Sequence, residues 1–429
     1  VLRARVTWLV ASLAALLIGH GFVLALDVYA STSRSVLGSV LEAPGLDPLL
    51  GIVRPTLGGV SFSLALLGPI LASRSLAVEK ERNTYGASCL ASGTSQRVVL
   101  EKWLASALAC GLPFVPALLL FVGFGIAGGH LDWPEVMVAL GGELLHLLVI
   151  ASAAVAAAAW TRTVAQAITV ALLLSLSAWA IDAAEGFAAL SWLGEASSWS
   201  IEQRLLPFGR GVVALGSLLW LCAAAAMFVG LALAGGSFAP RQLKWSWAAG
   251  LAMLGVIALL TSGRIRRGFD WSEQRRASLP PPVVDGLRSI PQAITIELLL
   301  DRDDSRRKQL EVDALAKLEL ARPDISVIWP LDDDSQPLAG RRDADYGLIA
   351  VQVGAARRVI RATGPRELAT LVFEAAGRPL PSWDQPSYAG FPFVPTGTQR
   401  QLLGVCAYAV FPLAMAAMGL VLTQRRTTR

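Results

Sequence analysis

Charge is sparse in this chain of 429 residues: Asp, Glu, Lys and Arg make up 16% of it, against about 25% in an ordinary soluble domain. Cysteine and histidine are scarcer still. Cys89, Cys110, Cys222 and Cys406 are scattered with no C-x-x-C, so neither a disulfide framework nor a cysteine zinc site is expected. The three histidines are His20, His130 and His146. Residues 263–398 therefore hold no histidine and no cysteine, which excludes Ser-His-Asp and Cys-His nucleophile arrangements and histidine metal sites there. No G-x-x-x-x-G-K-[ST] occurs, so the chain is not expected to cradle a nucleotide by itself.

What is present is apolar. Hydrophobic residues make up 54% of the sequence, and the mean hydropathy is +0.55. The charges are uneven: roughly half fall between Arg264 and Asp384, where the signs nearly cancel. That stretch reads as a water-soluble domain and the remainder as membrane. The net charge of +5 is then a property of loops beside apolar spans, not a nucleic-acid footprint.

About 20 apolar residues cross a ~30 Å hydrocarbon core as a helix. Eight segments satisfy this: 6–26, 53–72, 103–126, 136–160, 164–181, 211–234, 245–261 and 402–422. The first is long enough to span, and no small-residue cleavage site follows it before Asp27, so it reads as a span and not as a signal peptide. With residue 1 inside, the inner short loops collect Arg3, Arg5, Arg74, Lys80, Arg82, Arg97, Lys102, Arg162, Arg241, Lys244, Arg425, Arg426 and Arg429. The outer ones hold Arg34, Arg54, Arg204 and Arg210. The positive-inside rule then places both ends on the cytoplasmic side of the membrane and 263–398 outside.

Two loops and the insert need separate reading. Residues 182–210 mix Trp192, Leu193, Trp199, Ile201 and Leu205 with Glu185, Glu195 and Glu202, as expected of short re-entrant or interfacial helices, or else of a surface loop. Asp182 and Glu185 are expected to cap the outer end of the fifth span. In the insert, 293–300 and 325–329 read as strands, 304–320 as a helix, 346–353 and 357–362 as a strand pair, and 365–376 as a helix with Pro at its first turn. The order β-α-β-β-β-α predicts a small open α/β sheet, followed by a Pro- and aromatic-rich linker from 379 to 398. The acidic run Asp332–Asp334 lacks the spaced ligands and turn glycine of a calcium loop and reads as a solvated turn.

The loop 73–102, SRSLAVEKERNTYGASCLASGTSQRVVLEK, carries Glu79, Lys80, Glu81 and Arg82 on the end of the second span, then small residues, then Arg97 and Lys102. A short amphipathic helix lying along the membrane would present these charges to a partner. The loop resembles the coupling helix of ABC-2 type permeases, whose pattern is close to E-x-E-x-G-T, small residues, Pro, a basic residue and Gly-Lys. Glu79, Glu81, Thr84, Arg97 and Lys102 match, while Asn83, Gly93 and Glu101 depart from it.

A second stretch, GFDWSEQRRASLPPPVVDGLRSIPQAITIELLL, is similar to the start of the extracytoplasmic domain of GldG-type gliding-motility proteins. Phe269, Asp270, Ser272, Arg275, Ser278, Leu279, Pro291, Ile294 and Thr295 fit, and GLIAVQVGAARRVIRAT and PRELATLVFEAAGR continue the likeness. Together with six GldF-like spans the resemblance covers nearly the whole chain. It implies an α-helical polytopic membrane protein with a six-helix ABC-2 core (1–240), a seventh span (241–262), a GldG-like periplasmic α/β domain (263–398), and an eighth span with a basic tail (399–429). The function implied is that of a permease subunit, with no cofactor of its own and no catalytic residue. ATP would be bound by a dimeric ABC ATP-binding subunit. The implied coupling residues are Glu79, Glu81, Arg82, Thr84, Arg97 and Lys102. Further implied partners are a second permease copy and a longer GldG-like or other periplasmic protein.

Within the spans, Glu143 and His146 form E-L-L-H, a pair on one helical face. Ionisable groups at such depth cost a few kcal/mol unless paired or hydrated. They are candidates for lining a conduit, for a structural role, or for reaching water at the outer interface. E-x-x-H is also half of a di-iron motif, but the second half is missing. His20 reads as interfacial or packing. Two other classes stay open on this reading: a non-transporting anchor or sensor that displays the outer domain, and an intramembrane hydrolase built on Glu143 and His146.

Overall fold

The computed structural model describes residues 4–37, 46–184, 200–265, 267–301, 304–331, 346–384, 388 and 390–424. The protein is mostly helical with a small sheet region. It divides into two compact units: Val1–Ile265 with Ala389–Arg429, and Arg266–Tyr388.

The first unit contains helices α1 (Arg5–Leu37), α2 (Arg54–Glu81), α3 (Tyr85–Ser92), α4 (Ser95–Cys110), α5 (Phe114–Ile126), α6 (Trp133–Trp160), α7 (Val164–Ala184), α8 (Ile201–Leu205), α9 (Leu215–Gly236) and α10 (Arg241–Ser262). Among the described residues, seven stretches are long and apolar enough to cross a membrane: Arg5–Val36, Leu49–Glu81, Ser95–Ile126, Trp133–Trp160, Leu215–Gly236, Arg241–Ser262 and Gly397–Leu422. Eight were expected from the sequence. The segment read as the fifth span is the helix α7, and the apolar length of it that the structure describes in full, Val164–Ser177, is shorter than the other seven.

Side-chain contacts fix the direction of each helix. Glycine lets α1 and α2 approach closely, Gly21 facing Pro55 and Gly59 facing Ile18, so the two run antiparallel. Along α2 and α4, Glu79 meets Lys102, Ala72 meets Ser106 and Gly68 meets Cys110, again antiparallel. Ser61 meets Glu143, Gly68 faces Ile150 and Lys80 meets Ala158, so α2 and α6 run parallel. Ala65 with Ser175 and Glu81 with Val164 make α7 antiparallel to α2. Val149 and Leu221 share one buried cluster and Trp160 is bonded to Leu231, so α9 runs parallel to α6. Gly216 with Ser262 and Gly230 with Leu251 set α10 antiparallel to α9. Eight helical elements thus alternate in direction, α7 among them.

This gives the unit two ends. The base carries Glu81, Trp160 and Gly236; the rim carries Tyr29, Ala127, Phe208 and Ile265. At the rim, residues 390–396 are pinned to the helices. The Tyr29 hydroxyl donates to the Phe391 carbonyl at 2.7 Å, Phe391 N–H donates to Leu46 O at 2.9 Å, and Phe393 N–H donates to Ser33 Oγ at 3.1 Å. The His130 ring stacks on Phe391 at 3.6 Å.

The second unit is a four-stranded sheet with helices packed on it. Its elements are α11 (Pro281–Arg288), β1 (Ile294–Leu298), α12 (Ser305–Leu310), α13 (Ala316–Ala321), β2 (Ser326–Ile328), β3 (Ile349–Val353), β4 (Ala356–Ile360) and α14 (Pro365–Ala375). A π-helical turn, Glu311–Leu315, joins α12 to α13. The strand order is β2-β1-β3-β4; β1 pairs parallel with β2 and antiparallel with β3, and β4 antiparallel with β3. Ile294, Ile296 and Leu298 alternate into a core with Val283, Leu287, Leu318, Leu368 and Phe373, the period of a strand with one covered face. Arg322 is buried and fastens this core from below. Its guanidinium donates to Leu287 O, Ile290 O and Gln292 O and to both oxygens of Asp324. The same hydrogen bonds hold the Asp324 carboxyl below the usual carboxylate range. The acidic run Asp332–Asp334 lies outside the described residues.

The last helix is α15 (Gly397–Val405), a π turn (Cys406–Val410) and α16 (Phe411–Gln424). Thr396 and Gln399 form a capping box at its start. It runs antiparallel to α1, with Asp27 on Arg400, Gly19 on Ala407 and Trp8 against Gly419. A Cβ on Gly19 would lie 2.5 Å from Ala407 O, whereas one on Gly58 would meet nothing within 4 Å. Gly19→Ala should therefore destabilise the helical unit by about 1–3 kcal/mol. Gly58→Ala should be neutral or slightly stabilising. Thermal unfolding of both variants in one detergent checks this, and equal midpoints would contradict the packing described.

Candidate functional site

Two clusters concentrate polar chemistry in the helical unit. The first is at the base, where α2 ends in three consecutive charged residues. Successive helical residues point about 100° apart, so the three reach different neighbours. Glu79 ion-pairs with Lys102 of α4. Lys80 Nζ donates to Ala158 O at 3.1 Å and Ala159 O at 2.5 Å, the unpaired carbonyls at the C-terminus of α6, where a cation also meets the negative end of the helix dipole. Glu81 accepts from Val164 N–H, the first residue of α7, at 3.4 Å, an anion at the positive end of a helix.

The chain then reverses. Asn83 sits at φ +57°, a left-handed conformation that asparagine tolerates better than most residues. Thr84 Oγ1 donates to Glu79 O at 3.3 Å, and α3 follows. Tyr85 donates to Gly236 O at 2.6 Å, at the C-terminus of α9, and burial raises its hydroxyl pKa. Leu90 of α3 is 86% exposed. Arg97 pairs with Glu101 at 2.9 Å, both exposed, an arrangement that contributes little.

Of the six residues the coupling-helix resemblance singles out, Glu79, Glu81, Thr84 and Lys102 converge at the end of α2. Arg82 is exposed at its C-cap, and Arg97 belongs to an exposed pair on α4. The expected loop 73–102 is narrower in the structure. Nothing breaks the helix before Asn83, so α2 continues to Glu81, and α4 begins at Ser95 on the Thr94 cap. Only 82–94 connects them. Conversely, the third span is interrupted at 111–113, where Pro113 starts α5. The helical run through Lys80 signals that it faces a neighbour, whereas nothing in the sequence singles out Tyr85.

The second cluster lies inside the bundle. Ser61 Oγ donates to Glu143 Oε1 at 2.6 Å, and Glu143 Oε2 is 3.4 Å from His146 Nδ1. Glu143 is 7% exposed and His146 5%, so the carboxylate does not reach out to water at the rim. Its hydrogen bonding comes from α2. Ser61 was not legible because it lies 82 positions away among other small residues of α2. The carboxylate stands between hydroxyl and imidazole, so His146 is not placed to take the Ser61 proton as a nucleophile's base would. Among the described residues no three His, Cys, Asp or Glu side chains are grouped to hold a metal ion. His20 bonds Tyr408 at 2.8 Å on the outside of the bundle. Of the expected loop 182–210, residues 185–199 lie outside the described residues, with Glu185, Trp192, Glu195 and Trp199 among them, as does the side chain of Asp182. Ile201–Leu205 forms α8.

Comparison of the chain with protein-family models, with curated proteins and with solved structures finds no match.

Removing a donor from a buried acceptor costs about 1–3 kcal/mol. Ser61→Ala and Lys80→Met should each lower the thermal midpoint in detergent clearly, while Arg97→Ala should stay within about 0.5 kcal/mol of the parent. An Arg97→Ala effect as large as the other two would contradict this ranking.

Proposed function

We propose that this chain is the membrane-embedded permease subunit of an ABC-2 type, GldFG-like transporter. In this reading it couples ATP hydrolysis by a separate ABC ATPase to export or mechanical work across a bacterial inner membrane. The observation that carries the reading is the end of α2. Between the second and third long apolar stretches, three consecutive side chains tie α2 to α4, α6 and α7, beside a short exposed helix with Leu90 projecting from it. A partner that pushes on α3 would move the ends of several helices at once, which is what coupling to an ATPase requires. The resemblance of 73–102 to the coupling helix points to the same place.

The charge distribution supports the orientation. Arg5, Arg74, Lys80, Arg82, Arg97, Lys102, Arg162, Arg241 and Lys244 lie toward the base, against Arg34, Arg54, Arg204, Arg210, Arg264 and Arg400 toward the rim. The base is then cytoplasmic, and the α/β unit, entered after α10, is periplasmic. A homodimer of permeases with an ATPase dimer is the proposed assembly. The order Ser–Glu–His in the interior supports a transport or structural role for Glu143 and His146 over hydrolysis.

Affinity purification of the tagged chain should bring down an ATP-binding protein encoded beside it. Glu81→Lys with Leu90→Asp should abolish that capture without loss of membrane insertion. Capture that survives these changes, or an absent ATPase, would favour an anchor that merely displays the α/β unit. Separately, a membrane-impermeant thiol reagent on intact spheroplasts should label a cysteine placed at Arg358 and spare one placed at Arg97; the reverse pattern would invert the topology.

A further inference from the structure

The sheet of the second unit ends at β2, three residues long, on one side and at β4, five residues long, on the other. An edge strand presents unpaired N–H and C=O groups; a short one offers few, and a longer one can template another strand. The turn between β3 and β4 has two residues, with Gly354 at φ +59°, and closes on the pair Val353–Ala356. In such a hairpin the closing pair exchanges both hydrogen bonds, and bonded pairs alternate from there. Ala356, Arg358 and Ile360 thus bond back to β3, and the N–H and C=O of Arg357 and Val359 point away from the sheet. Among the described residues no backbone group bonds to this outer edge.

The side chains say what would fit. Residues 356–359 are all exposed, Val359 to 56%, and β4 contains neither proline nor glycine. Arg357 is bridged to Glu297 at 2.8 Å, whereas the Arg358 guanidinium reaches only Arg357 O, at 3.5 Å. Arginine on an edge also wards off unwanted strands. Here the charge is of one sign and sits beside an exposed valine, so it repels cationic strands and favours acidic ones.

We propose that β4 is a receptor strand to which a partner protein adds an extended acidic segment, antiparallel, along the open edge. Such a segment would set two apolar residues opposite Ile360 and Val359, followed by two acidic residues opposite Arg358 and Arg357. Main-chain bonds to Arg357 and Val359 supply affinity, and the arginines supply selectivity. The proposal does not depend on the permease reading.

The test uses the full chain in detergent micelles and a fluorescein-labelled synthetic peptide with two valines followed by two glutamates between serine and threonine flanks, read by anisotropy. Saturable binding is expected, weakened about tenfold or more by Arg358→Glu, a change on an exposed side chain that leaves the core intact. N-methylation of the peptide at its second valine and second glutamate removes the donors that face β4 and keeps the charge, so it should abolish binding. Binding that survives N-methylation, no binding at millimolar peptide, or binding by β4 only to vesicles of anionic phospholipid each overturns the proposal.

Discussion

A helix that touches neighbours on several sides must satisfy most of its polar groups within the protein, and α2 is under that constraint. It packs against α1, α4, α6 and α7, and most of its residues are buried. Its polar side chains consequently work as fasteners. Ser61 holds Glu143, Ser75 accepts from Ser106, Lys80 holds the end of α6, and Glu79 and Glu81 hold α4 and α7. Small residues let the neighbours come close enough for these bonds to form, as at Gly59 and Gly68. By contrast, α10 and the last helix bury few residues and expose Met253, Leu254, Leu413 and Leu420, side chains suited to lipid.

The α/β unit solves a different problem. It is small, and its core is held by alternating aliphatic strand residues under α11, α13 and α14. Arg322 binds the carbonyls of Leu287, Ile290 and Gln292 and so ties the connection between α11 and β1 to the end of α13. The sheet is covered on one face and open along β4, so its structural and recognition surfaces are separate.

Much of this was legible in the sequence because length and hydropathy speak directly to helices. The long apolar stretches and the strands around Ile296, Val327, Val351 and Val359 fall where their patterns put them. Periodicity does not report contacts across the bundle. The parallel pairing of α2 with α6, and with it the bond from Ser61 to Glu143, requires the fold. At the base, Glu79–Arg82 stand at the end of the second span as read from the sequence, since charged residues with good helix propensity extend a helix beyond its apolar part. In Pro281–Arg288 the run of prolines masks a helix that starts on proline, where the missing N–H costs nothing. Arg322 was unremarkable in sequence because burial of an arginine depends on carbonyls supplied by another part of the chain.

The pinned segment at the rim has a mechanical corollary. Phe391 is clamped from both its N–H and its C=O and covered by the His130 ring, six positions before the last helix begins at Gly397. Tension carried along the backbone toward the last helix is therefore intercepted. Tyr29 and Leu46 take it first and Ser33 next, so α1 acts as the lever and the last helix follows through its long antiparallel seam with α1.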